Sequence, residues 1–332
     1  MRAFSQLAIC LLLLLTGCAY FEASEQGPKM MRIGNAAPDD RSLSQGLYSF
    51  AEKLEKRTNG SIKVEVYTNS QLGGDRELFE GMQLNTVQAA TISTGPIAQF
   101  APSFNVFDLP FLFPDEHTAY RILDGPIGEE LLDTLHDQDV IGINYWENGF
   151  RVLSNNIREV ATVEDIAGLD IRTLENKWHL RLWQELKANP TPINYGELYI
   201  ALEQGTVNGQ ENPVGNIVNS HFYEVQTYVT RTNHIYNASP FMVSKKFWET
   251  LTAEEQEAVR NVAGEVQEEQ REANQEETET SYDYLEEQGI VVTELSEQAF
   301  TRLQQATEPV LEQFRFEYGN ELLERIIQER DK

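Results

Sequence analysis

The sequence predicts an α/β fold with a parallel sheet, in two units interleaved along the chain rather than laid end to end. Short alternating or apolar runs recur between amphipathic helical stretches, Gly and Pro punctuate the joins, and helices return after each strand group. The chain has 332 residues and 41% hydrophobic content, room enough for two domains with ordinary cores.

Met31–Asn35 reads as a short strand leading into Asn35-Ala36-Ala37-Pro38. Leu43, Leu47, Phe50, Ala51 and Leu54 then recur at helical spacing and predict a helix from Ser42 to Arg57, stopped by Asn59-Gly60. Ile62, Val64 and Val66 alternate with polar residues, as in a half-buried strand. Gly73-Gly74-Asp75 opens a second helix, and 87–92 is a buried strand ending in Ser93-Thr94-Gly95. This β-α-β-α-β order places ligand-facing loops at strand C-termini. Phe104 to Phe113 reads as an apolar segment beneath the sheet, followed by one helix over 118–135, a strand over 140–145 and a further strand-like crossing through Arg151.

The second unit is Gly168 to Pro213. A short strand (Leu169, Ile171) ends in Arg172, and a helix carries Trp178, Leu182 and Leu186. Asn189-Pro190-Thr191-Pro192 reads as a rigid turn, a helix follows over 197–204, and the segment closes on Gly209-Gln210-Glu211-Asn212-Pro213. Later come an apparent helix around Phe222–Val225, the segment Thr232–Tyr236, the strand 241–243, a long acidic helix over 253–288 and two amphipathic helices between 297 and 327.

With 53 acidic against 26 basic residues the formal charge is −27. That excludes nucleic acid as a partner, because phosphate binding needs a basic footprint. A pocket for an anion must therefore be a local basic exception. Arg2 precedes an apolar run from Leu7 to Leu15, too short to span a bilayer and shaped like the core of a signal peptide over 1–17. Leu15-Thr16-Gly17-Cys18 looks like a bacterial lipobox, so Cys18 would carry lipid and 18–29 would form anchor and tether. Cys10 leaves with the leader, and the mature domain then has no cysteine for disulfides, metal or nucleophilic chemistry.

A lone arginine is most often a surface ion-pair partner. Arg172 differs because it ends a buried-type strand just before a helix, where α/β sheets bind ligands. A guanidinium there holds a carboxylate through two parallel charge-assisted hydrogen bonds. Arg151 ends its own strand in the same way. The five histidines show no metal-ligand spacing, and no nucleophile elbow, Walker A or dinucleotide fingerprint is present, so no metal, cofactor or catalytic residue is expected. With so many acids, a carboxylate pair at glycosidase distance carries no information.

Arg172, Asn189–Pro192, Tyr195–Tyr199 and Gly209–Pro213 together resemble the solute-binding proteins of TRAP transporters, the DctP family. The likeness continues in Gln71–Arg76, Leu109–Phe113, Tyr145–Arg151 and Phe222–Gln226, and covers nearly everything from Met31 onward. The resemblance implies a two-domain clamshell of the periplasmic-binding-protein type (class II), with a long helix spanning both lobes. One lobe would comprise 30–148 plus about 238–277, the other 149–237 plus about 278–332. It implies a non-enzymatic, extracytoplasmic protein that captures a small organic acid and delivers it to the small and large membrane subunits of a permease. Arg172 matches the arginine that pairs with the ligand carboxylate, with Asn212 joining it, Arg151 as a second arginine and Tyr195 as the aromatic neighbour. Asn35, Asp75, Ser93 and Glu211 match positions near the ligand's other end, and His234 a less direct one. Asn208 and Ile193 depart from the family's more frequent Asp and Met. Glu175 is the larger departure: it brings negative charge towards the pocket, where it would bond sugar hydroxyls or an ammonium, or brace Arg172. Trp146 and Glu147 lie in a stretch closest to members that bind sugar acids, so a uronate or aldonate is expected ahead of a C4-dicarboxylate. An ABC-type binding lipoprotein and a lipid-anchored hydrolase stay open as other readings.

Overall fold

The computed structural model describes residues 27–332; the expected leader and the lipobox cysteine Cys18 lie outside them. The chain begins with strand β1 (Lys29–Gly34), helix α1 (Ser42–Arg57), β2 (Ile62–Tyr67), α2 (Asp75–Leu84), β3 (Ala89–Thr91) and the short α3 (Thr94–Ile97). A 3-10 helix (Pro102–Asp108) carries the apolar segment, with Phe104, Val106 and Phe107 buried. The single helix expected over 118–135 is two, α4 (Glu116–Leu123) and α5 (Pro126–Thr134). Pro126 is the cause: without an N–H it cannot continue α4, but it suits the first position of a new helix.

β4 (Val140–Asn155) then runs unbroken where two segments were expected. It is followed by β5 (Asp170–Thr173), α6 (Lys177–Glu185), β6 (Asn189–Pro192), α7 (Leu198–Glu203), β7 (Gly209–Pro213) and α8 (Val214–Asn219). Asn189–Pro192, read as a turn, is in fact an edge strand parallel to β5; its prolines fit there because an edge strand leaves one side without ladder partners. Phe222–Glu224 forms only a 3-10 turn before β8 (Tyr228–Ser244). α9 (Lys245–Trp248), α10 (Ala253–Glu287), β9 (Val291–Glu294), α11 (Glu297–Tyr318) and α12 (Glu321–Arg330) complete the chain, β9 being a strand the sequence pattern did not reveal.

The strands form one nine-stranded sheet in the order β2-β1-β3-β8-β4-β7-β5-β6, with β9 also on β8. β1 pairs in parallel with β2 and β3, and β5 with β6 and β7, so each flank is the predicted parallel α/β unit. The long β4 and β8 run antiparallel between the two flanks. Their ladder is irregular between Gly142 and Asn144, Glu147 and Gly149, and Arg151 and Leu153, and Gly149 sits at φ 112°. α10 spans both flanks: Val259, Val262 and Val266 enter a core with α1 and β1, and Tyr282 and Leu285 one with α7 and α8.

Candidate functional site

β1, β3, β5 and β7 all end towards the middle of the sheet, and a cleft lies outside their carboxyl ends, where α/β sheets place ligands. Its larger chamber is lined on one side by Asn35, Ala36, Leu43, Asp75, Thr91 and Ser93. Asn148, Leu174, Tyr195, Asn212, Asn216 and Ser239 line it from the other elements. An adjoining chamber shares Asp75, Leu174 and Tyr195 and adds Arg172, Glu175 and Asn194. Amides and hydroxyls dominate, and several are buried without a partner among the described residues: Asn35 Nδ2, Thr91 Oγ1, Asn216 Oδ1 and Ser239 Oγ. Unpartnered buried polar atoms are costly, so this wall is built to bond something polar.

Arg172 lies one residue before the end of β5 and is buried. Its Nε donates to the Ile193 carbonyl at 2.7 Å, its guanidinium lies 5.9 Å from the Tyr195 ring centre, and Nη1 has no partner among the described residues. Burial and the nearby Arg151 cation push it down to about 10, which still leaves it charged at neutral pH. Asp75 opens α2, and burial in the cleft raises its carboxyl to about 6. Arg151 has the opposite fate from Arg172. It pairs with Glu211 through Nε and Nη2, the latter at 2.9 Å from Oε1, and bonds Asn237 at 3.1 Å. Arg151, Glu211 and His234 are buried behind the cleft wall and line neither chamber. The Arg151 cation and the two neighbouring histidines, His179 and His234, hold the Glu211 carboxyl well below the usual range, while burial lowers His234.

The structure thus brings Arg172, Asn212, Tyr195, Glu175, Asn35, Asp75 and Ser93 to the cleft. It does not bring Trp146 or Glu147 there. Trp146 is packed in the α1 core, stacked on Phe241 with ring centres 5.2 Å apart. Glu147 faces a different pocket on the other side of β4, where it accepts from Tyr120 at 2.7 Å and burial raises it to about 7. Strand alternation accounts for Glu147, since neighbours on β4 point to opposite faces, whereas Trp146 shares the face of Asn148 but is taken up by the α1 core. The same alternation could have found Asn148, two residues beyond Trp146, which does line the chamber. Sequence reading also missed Asn216, Thr91 and Ser239, and the buried Arg41, which holds Asn148 through its side chain and carbonyl, each at 2.9 Å.

Residues 33–317 match the model of "Bacterial extracellular solute-binding protein, family 7", DctP. The chain belongs to the DctP family. This DctP-family chain is similar to the sugar acid binding protein DctPAm of Advenella mimigardefordensis, solved with galactonate: 37% identity, TM-score 0.90, covering 92% of this chain and 98% of that one. It is similar also to a TRAP periplasmic solute binding protein of Sulfurospirillum deleyianum with bound succinate, at 28% identity and TM-score 0.87, covering 91% and 99% of the two chains. Among curated proteins, the 2,3-diketo-L-gulonate-binding periplasmic protein YiaO of Escherichia coli K12 is 30% identical over 87% of this chain and 88% of its own length. The expected two-domain, periplasmic-binding-protein-like fold is the fold of these relatives. No helix among the described residues of this DctP-family chain is long and apolar enough to cross a membrane.

Proposed function

We propose that this chain is the extracytoplasmic binding subunit of a TRAP transporter, that it captures a small organic acid without transforming it, and that it hands the acid to the membrane permease. The observation that carries this is Arg172: a buried guanidinium whose Nη1 has no partner among the described residues, in a chamber that adjoins the one walled by amides and hydroxyls. The ligand carboxylate pairs with Arg172 beside Tyr195 and Asn212. Asn35, Ser93, Asn148, Asn216 and Ser239 bond its remaining oxygens, with Asp75 and Glu175 accepting from hydroxyls. Arg76 also lines the Arg172 chamber but is exposed and paired with Glu80. A single buried unpaired cation among the described residues, with a hydroxyl-reading wall, favours a monocarboxylate sugar acid, an aldonate or uronate, over a C4-dicarboxylate. The galactonate complex of the relative supports that order, and the succinate complex keeps the dicarboxylate as the second reading. In this reading β4 and β8 are the hinge between lobes of 30–148 plus about 238–277 and 149–237 plus about 278–332, and Cys18 tethers the protein to the membrane surface.

Arg172→Ala leaves the bound carboxylate desolvated and unpaired, at a cost of about 2–5 kcal/mol in binding free energy. Calorimetry with aldonates, uronates and succinate measures it, after a thermal-shift screen has ranked them. Unchanged affinity in Arg172→Ala refutes the carboxylate clamp, and a preference for succinate reverses the ligand order. Ligand recovered in altered form would refute the binding role.

A further inference from the structure

Behind the cleft wall, His179 of α6 is fully buried between two carboxylates from different parts of the fold. Its Nε2 is 2.9 Å from Asp108 Oδ1, on the 3-10 helix that follows α3, and its Nδ1 is 3.5 Å from Glu211 Oε1 on β7. A carboxylate only accepts, and a neutral imidazole has one N–H, so a neutral His179 would turn a lone pair on one of these oxygens. Nδ1 has no hydrogen-bond partner among the described residues and meets Glu211 only at ion-pair distance, a contact that attracts when the ring is an imidazolium. We propose that His179 is a positioning residue for ligand capture: as a buried imidazolium it bridges Asp108 to Glu211, keeps Glu211 engaged, and so leaves Arg172 free for the ligand carboxylate.

The other charged groups around it fit. Glu211 is shared among Arg151 on β4, His234 on β8 and His179, while Asp108 Oδ1 also accepts from Thr94 at 3.4 Å. Counting Asp75, whose carboxyl at about 6 is mostly ionised at pH 7, three carboxylates balance three cations, Arg151, Arg172 and His179. With His179 neutral the group carries a surplus negative charge that opposes an incoming anion. Asp108 and Glu211 both act to raise His179 against its burial, and the net direction is upward. Asp75 of α2 and Glu175 share a chamber with Arg172, and burial raises Asp75 to about 6.

The inference rests on the reading that Arg172 holds the ligand carboxylate, and its test separates the two. Ring 15N spectra of histidine-labelled wild-type protein, without ligand, should show both His179 nitrogens protonated at pH 7. D-Galactonate affinity should then fall as pH rises through the His179 titration. The same titration in Asp75→Asn removes the lower limb only. His179→Gln should weaken galactonate about tenfold or more at pH 7, the scale of one unit charge at an effective dielectric of about 20, and should flatten the upper limb. A merely structural role would weaken binding equally at every pH. A neutral His179 at pH 7, or an unchanged upper limb in His179→Gln, overturns the proposal, and the spectra decide even if the variant does not fold. Unchanged galactonate binding in Arg172→Ala would instead refute the carboxylate reading, whatever His179 shows.

Discussion

Two arginines on β4 and β5 share burial and differ in what surrounds them, and that difference decides which one can act on a ligand. Arg151 has its charge met by Glu211, with Asn237 taking a further N–H; removing either partner would strand a charge in the interior, which costs about 3–5 kcal/mol. Arg172 has one carbonyl and a tyrosine face, so its charge is unspent. Glu147 on β4 illustrates the converse. It is 1% exposed, its neighbours include Tyr120, Arg271 and Asn274, and burial lifts it from 4.5 to about 7. A carboxyl with a raised folded value binds its proton more tightly when folded. Its contribution is therefore full below the unfolded value and is lost as pH rises through the folded one. Wild type should lose stability relative to Glu147→Gln between about pH 4.5 and pH 7, with a difference at pH 8 on the order of 2–3 kcal/mol. Urea denaturation of both proteins across pH 4–8 measures this, and parallel curves would refute it.

At the scale of elements, β4 and β8 must pass between the two flanks, and their irregular ladder concentrates where they cross. Gly149 is the position that needs glycine. Its φ of 112° lies where an L side chain is strained, and a Cβ there would approach Asn274 to 3.3 Å. Gly149→Ala should cost about 1–2 kcal/mol, read as a lower urea midpoint with an unchanged slope; an unaltered midpoint would show that the backbone relaxes freely there. Local signals made most elements legible: α1 and α10 have caps and apolar periodicity, and β1 and β2 alternate or lie in short apolar runs. What stayed hidden depended on partners distant in sequence. Asn189–Pro192 reads as a turn in isolation and becomes a strand only because β5 offers it a free edge. β9 is a strand only because Tyr228–Arg231 lies beside it. The cleft shows the same division. Arg172 announced itself by its place at a strand end, and family likeness supplied Tyr195 and Asn212. Trp146 and Glu147 were drawn towards the cleft by that likeness; strand alternation turns Glu147 away and the α1 core takes Trp146, which leaves the place to Asn148. His179 and Asp108 gave no local sign, since 71 residues separate them.

For the whole molecule, function depends on two flanks meeting over the cleft, and the structure shows them in contact at its rim. Gln99 donates to the Glu175 carbonyl at 2.8 Å, Asn176 to the Gly95 carbonyl at 3.1 Å, and Asn194 to Glu77 at 3.4 Å. Each bond joins a residue of the β1–β3 flank to one of the β5–β7 flank. If the flanks open to admit the ligand, these bonds and the burial of Arg172 exist only in the closed form, and affinity is scaled by the fraction of molecules that can close. Gly74 offers a way to change that fraction. A Cβ on it would lie 2.3 Å from the Asn194 amide across the rim, while its own φ of −78° suits any residue. Gly74→Ala should therefore leave the unliganded fold and melting temperature nearly unchanged and weaken binding severalfold by disfavouring closure. Solution scattering should show wild type becoming more compact with ligand, and Gly74→Ala needing more ligand to reach the same curve. Equal affinity in the two proteins, or identical wild-type curves with and without ligand, would mean that closure over the cleft does not drive capture.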